Sequence, residues 1–105
     1  MIYMHNAVAV AQKFEQFVIH YGDDPFISRT ISKMVSTRLM VLQKELKRVQ
    51  SSLARFEKAY GKTSDAFMKE FQRGLAGDDM DFIEWSALIH MSARLRAERA
   101  ALQGN

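Results

Sequence analysis

Eight apolar residues in the middle of the chain recur at alternating gaps of four and three: Val35, Leu39, Leu42, Leu46, Val49, Leu53, Phe56 and Tyr60. That alternation is a heptad seam. It predicts a long helix that buries a narrow stripe against another helix. Upstream, Val10, Phe14, Phe17, Val18 and Tyr21 share one face at helical spacing and predict a helix over residues 7–21. Downstream, Phe67, Met68 and Phe71 predict a short helix over 64–73. Phe82, Trp85, Leu88, Ile89, Leu95 and Leu102 predict a last helix over 81–102. No segment alternates with the period of a strand.

The punctuation between these stripes agrees with them. Gly22 follows Tyr21 and suits a left-handed helix end. Asp24-Pro25 is a start signal, because Asp caps free amides and Pro at the first helical position has no amide to satisfy. Pro25 is the one proline, and the next glycine is Gly61, so a single helix over 25–60 is expected, ~54 Å long. Thr63 or Ser64 is expected to cap the short helix. Gly74 and Gly77 bracket a break, and Asp81 with Glu84 matches a capping box with Asp81 as cap.

The expected fold is all-α, one domain over residues 1–105. It is a long helical hairpin with a coiled-coil-like seam, a short helix at the turn and an N-terminal helix. Trp85 is expected against the seam beside Phe56 and Tyr60. A last helix of ~33 Å is too short to cover all of the long one. Residues 27–35, and with them Leu39, Leu42 and Leu46, are therefore expected to be covered by the first helix or by another chain. The flanking positions Arg38, Glu45, Ser52 and Ala59, and Ser36, Gln43, Gln50 and Glu57, lack the paired charges that specify a parallel dimer. An intramolecular hairpin is thus favoured, with a homodimer on top of it as a further expectation. Met34, Met40, Met68 and Met91 suit core filler or a partner groove, and core filler is the favoured reading.

Composition narrows the class. With 105 residues, 48% apolar content and no cysteine, the chain has one small core, no disulfide framework and no thiolate metal site. No stretch approaches the roughly 20 apolar residues of a membrane span. The start shows no basic segment followed by a long apolar one, so a cytoplasmic protein without membrane partners is expected. The net charge of +3 is unevenly spread: residues 26–62 are strongly basic and residues 63–85 acidic.

Candidate chemistry is sparse. Asp78, Asp79, Asp81 and Glu84 form the densest acidic group, and a divalent cation would want such oxygens. Their spacing is not that of an EF-hand, and helix capping explains them more simply. His5, His20 and His90 are isolated from one another. The serines lie in no nucleophile-elbow context, and Gly74-Leu-Ala-Gly77 lacks the Lys-Ser/Thr of a phosphate loop. Lys44, Lys47, Arg48, Arg55 and Lys58 make one face of the long helix positive. Without aromatic interleaving or a helix-turn-helix, DNA binding is possible but not favoured. No catalytic residue, metal or cofactor is expected.

One segment carries a resemblance. Phe56-Glu-Lys-Ala-Tyr60-Gly61, then Ser64 to Phe71, then Gly74-Leu-Ala-Gly77-Asp-Asp-Met-Asp-Phe82-Ile-Glu-Trp85 resembles a family of short, wholly helical prokaryotic proteins. With the Pro-initiated long helix, the likeness covers about residues 24–102. Lys62 departs from the family's tendency to Met after Tyr-Gly. Members often look like antitoxins of two-gene toxin–antitoxin modules, encoded beside a small RNase-like toxin of the TumE type. The resemblance implies an antitoxin that neutralises such a nuclease by direct protein binding, and not an enzyme. The expected contacts are Asp78, Asp79 and Phe82 at the hairpin tip, and Ile27, Ile31 and Met34 on the helical face. Trp85, Phe56, Tyr60, Gly61, Gly77 and Asp81 are expected to be structural. The alternative is a homodimeric structural or DNA-binding helical module.

Overall fold

The computed structural model describes residues 2–22 and 24–104, with side chains from residue 6 onward. Four helices follow in order: α1 (Ile2–Tyr21), α2 (Pro25–Tyr60), α3 (Ser64–Gln72) and α4 (Met80–Gln103). The described residues contain no strand. α1 begins five residues earlier than the expected start at residue 7, since Ile2 to Asn6 hold no breaker.

The chain divides into two units, residues 1–35 and residues 36–105. The second holds the core. Leu42, Leu46 and Val49 of α2 pack with Leu95 of α4, and Leu53, Leu88 and Met91 close around them. α2 and α4 run antiparallel. Arg38 meets Glu98 at one end, with an N–O distance of 3.3 Å, and Tyr60 meets Asp81 at the other. This is the expected hairpin.

Its coverage corrects one expectation. Leu42 and Leu46 pack with Leu95 of α4 and are 2% and 3% exposed, so they offer nothing to a second chain. Leu39 alone of that trio is half-buried. Met91 fills the core as expected and Met68 is half-buried, whereas Met34 and Met40 stand exposed. Leu102, expected on the buried stripe of α4, is 37% exposed.

The first unit has no such core. Between residues 6 and 35 only Val18, Ile27 and Val35 are even half-buried among the described side chains. The Asp24 carboxylate accepts the Ile27 amide at 2.9 Å, so the Asp-Pro start works as a cap.

Candidate functional site

The end of the hairpin, where α2, α3 and α4 meet, contains most of the residues that carry the resemblance. Phe56 and Tyr60 lie one turn apart on α2 and face α4. Gly61 then ends the helix at φ +66, where a side chain would be strained. Thr63 caps α3, its hydroxyl accepting the Ala66 amide at 3.1 Å. Glu57 reaches forward from α2, and its carboxylate accepts the Ser64 amide at 2.8 Å. These two acceptors serve two of the free amides that open α3.

Trp85 sits at the centre, 0% exposed. Phe67 of α3 stacks on it with ring centres 4.0 Å apart and planes 2° apart. Phe56 and Tyr60 stack at 5.5 and 5.8 Å. Its indole N–H donates to the Ser64 hydroxyl at 2.9 Å, so the buried donor is satisfied. Trp85 thus lies beside Phe56 and Tyr60 as expected. Phe67 is its closest ring, and only tertiary packing distinguishes Phe67 from its helix neighbours.

The acidic group is partly consumed by this construction. Asp79, not Asp81, caps α4: it has extended backbone (φ −60, ψ 142) and its carboxylate accepts the Asp81 amide at 2.9 Å. Asp81 is already inside the helix, so it cannot take the cap role that the Asp81–Glu84 spacing indicated. It instead accepts the Tyr60 hydroxyl at 2.6 Å. That bond, with some burial and the nearby charges of Asp81 and Asp79, pushes the Tyr60 phenol up to about 12. Gly77, at φ +92, turns the chain into this cap; the space around it is open, so glycine is needed there for backbone conformation alone.

Phe82 lies on the stripe expected to bury α4 and is also among the expected tip contacts. It is half-buried, edge-on to Tyr60 at 5.1 Å and beside Phe67 at 5.6 Å. The apolar side chains that do stand out here are Leu75, Met80 and Ile83, exposed by 65, 75 and 48%. Ile83 falls off the Phe82–Trp85–Ile89 stripe, which is the one sequence signal that it faces outward. Leu75 and Met80 flank the break and follow no periodic pattern. Asp78 and Glu84 are exposed among them. The tip is therefore acidic and apolar together.

The other expected contacts lie in the first unit. Ile31 and Met34 are exposed by 44 and 66%, while Ile27 is half-buried. His20 and His90 are exposed and isolated, and the side chain of His5 lies outside the described residues. Among the described residues no group of three or more His, Asp or Glu is placed to hold a metal ion. No described helix is long and apolar enough to cross a membrane. Lys44, Lys47, Arg48, Arg55 and Lys58 are exposed along α2. Compared with protein-family models, curated proteins and solved structures, the chain matches none.

Proposed function

We propose that this chain is an antitoxin, a helical binding protein that neutralises a small RNase-like toxin by direct contact through the hairpin tip. The observation that carries the reading is the exposure of Leu75, Met80 and Ile83 beside Asp78, Asp79 and Glu84. A nuclease holds RNA phosphates with a basic surface. Carboxylates at the tip meet that surface, speed encounter and select the partner, and the uncovered apolar side chains anchor the contact. The resemblance of residues 24–102 to antitoxin-like proteins supports the same reading. In it the motif residues build the turn that presents the tip, and none of them performs chemistry.

The test is co-expression with the product of the adjacent gene. Asn caps a helix about as well as Asp, so Asp78→Asn with Asp79→Asn removes two charges and keeps α4 capped. Weaker neutralisation with a flatter salt dependence is expected. Met80→Ser is expected to weaken co-purification at all salt concentrations. If neutralisation survives all three changes at every salt concentration, the tip is not the binding surface.

A further inference from the structure

Lys44, Lys47, Arg48, Arg55 and Lys58 are all exposed. At 3.6 residues per turn they share an arc of about 100° on α2, opposite the seam of Leu42, Leu46, Val49 and Leu53. The two acids of this stretch, Glu45 and Glu57, fall outside the arc, and the Glu57 carboxylate is engaged by the Ser64 amide. Among the described residues none of the five forms an ion pair, whereas Arg38 and Lys62 on either side of them pair with Glu98 and Glu70. The like charges are crowded, with Lys44 three and four residues from Lys47 and Arg48, and Arg55 three from Lys58. Such neighbours repel on a helix, and a polyanion relieves that repulsion. Between residues 44 and 58 no large apolar side chain is exposed. The face therefore lacks the anchors of a protein interface and the apolar side of a membrane-surface helix. It also lacks the aromatic platforms on which single-stranded bases stack. A duplex is the polyanion that needs none of these.

We propose that the outer face of α2 between Lys44 and Lys58 binds duplex DNA by lying along its major groove, with its cations on the phosphates of both strands. The distribution of charge across the arc selects that placement. Lys47 and Lys58 lie toward one edge and Arg48 and Arg55 toward the other, ~21 Å of helix carrying both pairs. The two edges meet the two rims of the groove. Ser51, near the crest between the pairs, is exposed and small enough to let the helix approach the floor. The major groove of B-form DNA, about 12 Å wide, admits a helix, whereas that of A-form RNA is deep and narrow. The opposite side of α2 is packed on α4, so the cations are carried by a rigid element before any ligand arrives. No side chain on this face is placed to read bases bidentately, and the contact is to the backbone.

The proposal stands apart from the toxin reading, because its test needs no toxin. The full chain is titrated into a fluorescently labelled DNA duplex of about two helical turns, and anisotropy is followed from ~50 to ~200 mM salt. Binding is expected to weaken with salt at a log–log slope of about −4, the value for four or five phosphate contacts. Lys47→Gln with Lys58→Gln, and separately Arg48→Gln with Arg55→Gln, are each expected to make that slope shallower by about 2. Glutamine keeps helix propensity, so ellipticity and Trp85 emission should not change. Lys13→Gln with Lys69→Gln removes the same charge from exposed positions elsewhere and is expected to leave the slope as it is. Equal flattening by that control pair means that net charge, and not this face, holds the DNA, and overturns the proposal. Absence of binding at ~50 mM salt overturns it too. So does equal or tighter binding to an RNA duplex of the same length, to single-stranded DNA or to phosphatidylserine vesicles.

Discussion

At the end of the hairpin Trp85 is 0% and Phe67 1% exposed; on α1 Phe14 is 46% and Phe17 47% exposed. Both regions are rich in aromatic residues at helical spacing. In the hairpin, rings from three helices meet, and every polar group that the packing draws in has a partner. On α1, Phe14, Phe17 and Tyr21 contact one another only along their own helix, at 6.4 and 5.2 Å. The difference lies in topology. A turn returns α4 onto α2, while the turn at Gly22 gives α1 only the opening of α2. An amphipathic stripe specifies a face to bury, and the connection decides whether the chain itself supplies the cover.

The sharpest way to break this contrast is to truncate one ring on each side. Trp85→Ala is expected to cost about 3–5 kcal/mol, enough to unfold a domain of this size. Phe26→Ala, at a position 71% exposed in the first unit, is expected to stay within about 0.5 kcal/mol. Thermal melts of the two variants read the difference, and comparable losses would mean that α1 and the start of α2 are as well packed as the hairpin. A smaller effect tests the cap. Asp79→Ala is expected to destabilise by about 1 kcal/mol in denaturant titration. Asp81→Ala keeps the cap and is expected to leave the start of α4 ordered. The reverse result would restore Asp81 as the cap.

A phenol whose folded value is raised from 10 to about 12 gives stability that is complete below pH 10 and lost as pH climbs through that window. Tyr60→Phe removes the titrating group. The melting-temperature advantage of wild type over Tyr60→Phe is therefore expected to shrink between pH 10 and 12. A constant difference would show that the Tyr60–Asp81 bond does not couple to folding.

Most of the hairpin was legible because its signals are periodic or local. The seam from Leu42 to Leu53, the Asp24-Pro25 start and the glycine after Tyr60 each act within one or two turns of helix. The proximity of Trp85 to Phe56 and Tyr60 followed because all three flank the same turn. The cap of α4 was not legible. Asp79 and Asp81 are equally good cap residues in sequence, and extended backbone at Asp79 makes the choice. The pairing of Asp81 with Tyr60 and the stacking of Phe67 on Trp85 are tertiary, so no spacing encodes them. The apolar part of the tip stayed hidden for the same reason: Phe82 and Ile83 are adjacent in sequence, and only the packing turns Phe82 inward and Ile83 out.

The placement of Trp85 has an optical consequence. It is the sole tryptophan in the chain, and it is fully enclosed in one unit. Its emission therefore reports that unit alone, while far-ultraviolet ellipticity sums all four helices. Fraying of α1 lowers ellipticity and leaves the indole spectrum untouched. The gap between a fluorescence melt and a circular-dichroism melt then measures how much helix lives outside the core, and a ligand that seats on α1 closes that gap without a label.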